Sequence, residues 1–564
     1  MNRTRSRKAL VACASGILVL AVCATACTSR PKAGAVTPSD GTPSSASVSS
    51  SATASSAAAL PPPGPATSGG AITAGLVPLP VAASTDEKQS FTLTKATTIV
   101  ASAGAEAVAT DLATLLRPAT GFPLTVSTKA DGDGPANSIV FRLGAGETQL
   151  GDEGYDLTIT SGGVRLVANK PAGLFYGVQT LRQLLPASIG SRSVQAGPWR
   201  IVGGRIVDYP RYAYRGAMLD VTRHFFGVAD VERYIDELSM YKVNTLHLHL
   251  SDDQGWRIAI DAWPNLALHG GSSEVGSRTT GGYYTKADYT AIVQYAQAHF
   301  MTVIPEIDTP SHTNAALSSY PELNCNGVAP PLYIGENVGF SSLCVGKAVT
   351  YKFLDDVVGE LAALTPGPYI HLGGDEAHST SLSDYVTFVQ KAQAIVEAHG
   401  KKLMGWAEIS NAKLDPSSVA EYWNFSDHGT SETAATTQGV KVVAAPANHA
   451  YLDQKYNATT TLGLNWAGDI EVQDAYAWDP LDGGRVSEAQ VLGVEGPLWS
   501  ETLHTMADIE YMAWPRMAGI AEIGWTPKAE RSWSTYRPRL AQQAPRWTAL
   551  GMNFYRSPQV AWAS

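Results

Sequence analysis

From about Leu76 onward the chain alternates short apolar runs with polar, periodic stretches, and the residues before it do not. FTLTKATTIVAS and NSIVFRLG carry the period-two alternation of strands, and AEAVATDLATLLRPAT the three-to-four spacing of a helix. YDLTITSGGVRLVANK reads as a hairpin around its Ser-Gly-Gly turn, and GLFYGVQTLRQLLP as a second helix. Strands interleaved with helices over 76–208 predict a small α+β domain, which gathers no set of reactive side chains and reads as structural support. After Tyr209 the rhythm changes. Short apolar runs recur at about Ala217–Thr222, Thr245–Leu250, Thr302–Ile307, Tyr369–Gly374, Lys402–Ala407, Val419–Asn424, Lys441–Ala445 and Gly493–Leu498. Helical patterns such as VADVERYIDELSMYK, KADYTAIVQYAQAH, SDYVTFVQKAQAIVEAHG and MADIEYMAWPRMAGIAEIGW lie between or after them, as parallel strands with helical crossovers require. The pattern predicts an α/β fold, a TIM-type (β/α)8 barrel over 209–564. Its longest connections follow the second, third and seventh strands, on the face where such a barrel places its active site.

The first residues break this pattern in another way. MNRTRSRKAL is basic and the following VACASGILVLAV is apolar, too brief to span a bilayer comfortably and followed by small residues, so 1–26 reads as an export signal. Ala24-Thr25-Ala26 suits ordinary cleavage, whereas Cys27 directly after it resembles the acylated cysteine of bacterial lipoproteins, and the second reading is preferred. Cys27 would then carry a lipid anchor and the Ser/Ala/Thr/Pro/Gly-rich stretch 27–75, which has no aromatic residue and cannot form a core, would be a flexible tether. This gives a cell-surface lipoprotein, or a secreted protein on the first reading.

Composition narrows the partners. Lys and Arg total 41 against 51 Asp and Glu, a net charge of −10, and the leader takes four of those cations with it. An acidic protein makes a poor nucleic-acid or anionic-membrane binder, so the only membrane contact expected is the N-terminal lipid. Of five cysteines, Cys13, Cys23 and Cys27 belong to the leader or its cleavage point. Cys325 and Cys344 remain, and in an exported protein they suggest one disulfide closing a Gly- and Pro-rich loop, the alternative being two free thiols. No Cys/His spacing suggests zinc, and there is no Gly-rich phosphate loop.

Polar and aromatic residues gather at the predicted strand ends: Asp220 to Arg223, Asp252, Asp308 to His312, Asp375-Glu376, Trp406 to Glu408, Trp423, and Trp499 to Glu501. Within YIHLGGDEAH an apolar strand runs into two glycines and then delivers adjacent carboxylates. Neighbours on a regular strand point to opposite faces, so both acids reach one site only if the strand ends there and the backbone turns, which the glycines permit. Two acids held close, in a pocket partly walled by tryptophan, titrate apart and suit one general acid and one charged stabiliser. Trp406, Trp423, Trp466, Trp478 and Trp499 offer flat walls for sugar faces, whereas Trp514 and Trp525, at helical positions, read as core.

YRGAMLDVTRHF, HLHLSDDQGWR, VIPEIDTPSH, HLGGDE, GWAE, YLD and EGPLWSE, in this order, resemble glycoside hydrolase family 20, the β-N-acetylhexosaminidases, over the barrel and the preceding domain. The resemblance implies release of terminal, non-reducing β-linked N-acetylglucosamine or N-acetylgalactosamine from oligosaccharides or glycoconjugates, with retention. Catalysis would be substrate-assisted, the 2-acetamido oxygen forming an oxazolinium intermediate. By motif, Glu376 is the general acid and then base, Asp375 orients the acetamido N–H, and Tyr451 donates to the acetamido oxygen. Trp406, Trp423 and Trp499 wall the acetamido pocket. Arg223, Asp453 and Glu501 hold sugar hydroxyls, and Trp466 stacks on the next sugar. Asp252 and His312 pair behind Glu376, and Asp308 supports Asp375. No cofactor is implied, because protonation and an internal nucleophile suffice. The alternatives are a linkage-specialised relative such as a lacto-N-biosidase, and a catalytically silent sugar-binding surface lipoprotein.

Overall fold

The structure, a computed structural model, describes residues 71–129, 134–144, 146–427 and 429–563. The export signal, Cys27 and nearly all of the expected tether lie outside the described residues. The chain joins the fold slightly before the expected boundary at 75: Ile72, Leu76 and Leu79 are buried, and the Ile72 amide donates to Thr85 Oγ1 at 3.2 Å. No helix among the described residues is long and apolar enough to cross a membrane.

The first domain is a seven-stranded mixed sheet: β1 (Ala82–Leu93), β2 (Thr98–Ala101), β3 (Val126–Thr128), β4 (Ser138–Leu143), β5 (Tyr155–Thr160), β6 (Gly163–Ala168) and β7 (Trp199–Asp208), in the order β1-β7-β5-β6-β4-β2-β3. Strict alternation in YDLTIT puts Tyr155, Leu157 and Ile159 into the core, under the helices Glu106–Thr120 and Pro171–Leu184. Three features differ from the sequence expectation, one being β3, whose three residues are too few to show a periodicity. FTLTKATTIVAS is two strands, because Thr94–Thr97 forms a turn in which the Thr94 amide donates to Thr97 Oγ1 at 2.9 Å. β7 went unpredicted because Gly203 and Gly204 interrupt its apolar pattern. They lie where β1 shifts register between Asp86 and Ser90, and a Cβ on Gly204 would stand 2.1 Å from the Ser84 carbonyl oxygen.

The second domain is a closed parallel barrel of eight strands: β8 (Tyr214–Asp220), β9 (Thr245–His249), β10 (Thr302–Glu306), β11 (Tyr369–His371), β12 (Lys402–Trp406), β13 (Val419–Tyr422), β14 (Lys441–Ala444) and β15 (Val491–Leu498). Every strand falls within a predicted apolar run or overlaps it. The helix Val228–Ser239 shows why the crossovers form, with Val231, Tyr234, Ile235 and Leu238 on one buried stripe. The ring of helices is incomplete. β12 is followed by the 3-10 turn Ala407–Asn411 because too few residues separate it from β13 for a helical crossover, and β14 leads into a long irregular connection. The predicted helix at 506–525 is two helices, Met506–Ala513 and Arg516–Trp525, broken at Pro515, whose ring nitrogen has no hydrogen to donate. Trp514 and Trp525 are buried, donating to Glu237 and Asp208 at 2.9 and 2.8 Å. Cys325 and Cys344 are joined as expected, closing the connection after β10.

Candidate active site

β11 is only three residues long, and the backbone turns immediately after it. Gly373 and Gly374 have φ of 64° and 103°, and Glu376 itself has φ of 47°. The Gly374 amide donates to Asp308 Oδ1 at 3.2 Å and the Gly374 carbonyl accepts from Tyr385 Oη at 2.6 Å, which fixes the turn from both sides. The two carboxylates thereby face one histidine: His312 Nε2 lies 3.5 Å from Asp375 Oδ2 and 3.3 Å from Glu376 Oε2. On its other side His312 Nδ1 meets Asp252 Oδ1 at 3.1 Å, and Asp252 Oδ2 also meets Arg223 Nη2 at 2.8 Å. Arg223 reaches Asp220 Oδ2 and Gln254 Oε1, each at 3.2 Å, with its guanidinium carbon 4.8 Å from the centre of the Trp499 ring system.

Burial and charge set the protonation states. Burial pushes the Asp375 carboxyl up to about 6, with His312 opposing and Glu376 reinforcing the shift. Asp308 is pushed well above the usual carboxylate range by burial and then by Asp375. Burial opposes ionisation of Asp252, but Arg223 and His312 outweigh it and hold that carboxyl well below its ordinary value. Likewise burial disfavours the His312 imidazolium, yet Asp252, Asp308 and Asp375 hold it charged far above the usual histidine value. Asp453 is raised to about 8 by burial and Glu501, and Glu501 to about 7 by burial, with Arg223 opposing. At weakly acidic pH these two can donate hydrogen bonds as well as accept them.

The aromatic residues form a box beside the acids. Trp406, Tyr451 and Trp499 cluster with Met218, with Trp423 packed against them. Ring centroids are 5.7 Å apart for Trp406 and Trp499 and 6.2 Å for Tyr451 and Trp499. Trp466 is different: it is 51% exposed, edge-on to Trp423 and Tyr451 at 6.1 and 5.8 Å, and so stands at the mouth. Among the described residues Asp375 Oδ1 and Asp453 Oδ1 are buried acceptors with no hydrogen-bond partner, so each can take a donor from a bound molecule.

The site residues carried over by motif thus converge on the C-terminal end of the barrel, Trp466 at its rim, but Trp478, expected among the sugar-facing walls, does not join them: it is buried in the core, stacked on His449 at 6.3 Å with its Nε1 donating to the Ala475 carbonyl at 3.0 Å. The sequence left three contributors without a role. Glu408 of GWAE accepts from Trp423 Nε1 at 3.0 Å and is raised by burial to about 8. His249 and Glu306 lie beneath Asp252 and Trp406; the signal for His249 is the alternation of HLHL at the end of β9, and for Glu306 the lone carboxylate closing the apolar run of β10.

Comparison with known proteins agrees with this geometry. Residues 212–528 match the catalytic domain of glycosyl hydrolase family 20, and residues 73–209 match domain 2 of that family. A β-N-acetylhexosaminidase of Cellulomonas fimi is 40% identical over 491 residues, covering 86% of this chain and 97% of its own. The family 20 β-N-acetylhexosaminidase of Streptomyces coelicolor A3(2) superimposes with a TM-score of 0.83 at 51% identity, over 86% of this chain and 98% of its own. A mutant β-hexosaminidase of Streptomyces plicatus in complex with its product GlcNAc gives a TM-score of 0.83 at 52% identity, over 86% and 97%. With the acid pair, its histidine and the aromatic box assembled on a barrel that matches over both domains, the chain belongs to glycosyl hydrolase family 20.

Proposed function

We propose that the chain is an exo-acting, retaining β-N-acetylhexosaminidase that uses the acetamido group of its substrate as the nucleophile. In the first step the acetamido oxygen bonds to the anomeric carbon as the glycosidic bond breaks. The electrons of that bond leave with the aglycone oxygen, which takes the Glu376 proton. Asp375 accepts from the acetamido N–H and faces the positive charge of the oxazolinium, while Tyr451 donates to the acetamido oxygen. Trp406, Trp423 and Trp499 enclose the group and hold it in the attacking position, where proximity replaces a bimolecular encounter. In the second step the ionised Glu376 takes a proton from water as the water oxygen bonds to the anomeric carbon and the oxazolinium opens, restoring the amide with retained configuration. Arg223, Asp453 and Glu501 hold the ring hydroxyls, and Trp466 at the mouth stacks on the next sugar.

The observation that carries this reading is the buried, unpartnered Asp375 Oδ1 beside a closed aromatic box and a second carboxyl. It is tested by comparing turnover of an aryl 2-acetamido-2-deoxy-β-glucoside with that of the matching plain β-glucoside. Only the first carries the nucleophile, and cleavage of both alike would refute the mechanism. The leader and Cys27 support export and lipid anchoring, with chitin fragments or glycoconjugates as the natural substrates. Cys27→Ser should move the protein from the membrane fraction to the medium, and a native protein already found in the medium would favour simple secretion.

A further inference from the structure

The charged side chains behind the acid pair continue into the centre of the barrel, and the two steps above make no use of the inner half. Beyond His312 and Asp252, Asp252 Oδ2 meets His249 Nε2 at 2.9 Å and His249 Nδ1 meets Glu306 Oε2 at 2.5 Å. The line from Glu306 to Glu376 therefore alternates carboxylate and imidazole. Glu306 Oε1 accepts from Trp406 Nε1 at 2.9 Å, so one buried carboxylate holds both a wall of the aromatic box and the inner end of the line. Strand register places it there, because Glu306 on β10 pairs with His249 on β9 and both side chains point inward at the strand ends. The other groups facing Glu306 are His247, whose Nε2 is 3.0 Å from Oε2, and His371, whose Nδ1 is 3.0 Å from Oε1. Glu495 and Glu421 stand behind His247, at 2.8 and 3.9 Å from its Nδ1, and Asp308 and Asp375 lie on the substrate side.

We propose that Glu306 and His249 are positioning residues for the acid/base step: the Glu306 carboxylate holds His249, His249 holds Asp252, and Asp252 holds His312 against Asp375 and Glu376. The proposal rests on the reading of Glu376 as acid and base. Burial alone would strip His249 of its proton, but Glu306 and Asp252, joined by Asp220 opposite it on β8, outweigh it and push the imidazole up to about 9. A glutamine at 306 still accepts from Trp406 and fills the same volume, yet it no longer offsets the buried charge, so His249 loses its proton at lower pH.

His249 packs edge-on against Trp499 at 4.9 Å, which supplies a readout independent of turnover, since an imidazolium quenches indole fluorescence. The difference in tryptophan emission between the native protein and His249→Gln should titrate near pH 9. In Glu306→Gln that midpoint should fall by about one unit or more. The alkaline fall of kcat/KM on the aryl acetamido glucoside should move with it. At pH 9 Glu306→Gln should lose about 5-fold or more, at pH 5.5 less than about 1.5-fold, and Glu306→Asp should recover much of the difference. A midpoint that does not move, or an activity loss equal at all pH values, overturns the proposal. If the native protein leaves the glucoside uncleaved, the reading of Glu376 fails, while the fluorescence midpoints still decide whether Glu306 governs His249.

Discussion

Asp375 must be ionised to face an oxazolinium, yet burial raises it to about 6 and Glu376 adds to the shift. In the folded protein this carboxyl binds its proton more tightly than in the unfolded chain, where it titrates near 3.8. Its contribution to stability is therefore complete below that value and lost as pH rises through about 6, so the charged form needed for chemistry is held at the expense of the fold. For activity the sign is reversed: kcat/KM for an activated acetamido glucoside should fall as pH drops below about 6. Replacing Glu376 by Gln removes the neighbouring negative charge, and this acid limb should then shift to lower pH. The same substitution should cut turnover of sugars with poor leaving groups by about 10²–10⁴-fold and spare activated aryl glycosides much more. Equal loss on both substrates, or a limb that stays near 6, would argue against the assignment. Asp375→Asn should slow the first step even with an activated leaving group, and an unaffected burst of aglycone would refute its role. At this scale the adjacency of Asp375 and Glu376 was legible, because two neighbouring acids can share a site only at a broken strand. Glu408 was not given a role, because a carboxyl next to a tryptophan reads as a loop residue until its bond to Trp423 is seen.

The short turn after β11 connects that residue chemistry to its element. With φ of 64° at Gly373, a Cβ there would stand 1.8 Å from Asp308 Oδ1. Gly373→Ala should therefore displace Asp308 as well as cost about 1–2 kcal/mol in backbone conformation. It should lower kcat far more than it raises KM, with the thermal midpoint lowered by only a few degrees; a fall in binding alone would mean that the turn does not orient the acids. The connection after β10 is constrained differently, by the bond between Cys325 and Cys344 and by Ser341, whose Oγ takes the Thr313 amide at 2.9 Å directly beside His312. Cys325→Ser with Cys344→Ser should destabilise the protein by about 3 kcal/mol, given 19 residues of separation, and expose this connection to protease. Resistance equal to the native protein would show that packing alone holds it. The barrel strands were legible because each is a short apolar run before a polar cluster. Elements were misread where one residue type overrides the pattern: Gly203 and Gly204 conceal β7, and Pro515 divides a continuous helical stripe. The missing helix after β12 follows from the length of the connection, which no periodicity reports.

The two domains share buried polar groups as well as apolar surface, which ties the stability of the barrel to a sheet that carries none of the proposed chemistry. Asp208, the last residue of β7, is fully buried and accepts from Tyr155 Oη at 2.6 Å within its own domain. From the barrel it accepts Lys242 Nζ and Trp525 Nε1, each at 2.8 Å. Lys242 is buried too, with its ammonium 4.3 Å from the Trp525 ring centre, and burial lowers its pKa although Asp208 opposes the shift. Arg215 on β8 reaches Glu153 at 2.8 Å, and Arg546 donates to the carbonyls of Arg182, Gln183 and Leu185, each at 3.0 Å. Removing one partner of a buried ion pair leaves the other charge without compensation, whereas removing both can be nearly neutral. Asp208→Ala should therefore cost about 3–5 kcal/mol in chemical denaturation, with both domains unfolding in one transition. Adding Lys242→Met, which keeps the side-chain volume and removes the charge, should recover much of that loss. If the double variant is no more stable than Asp208→Ala, the cost lies in the lost Tyr155 and Trp525 hydrogen bonds rather than in an orphaned ammonium. If instead the sheet unfolds at lower denaturant than the barrel, the interface does not couple the two domains, and the role left to the first domain is not structural support of the second.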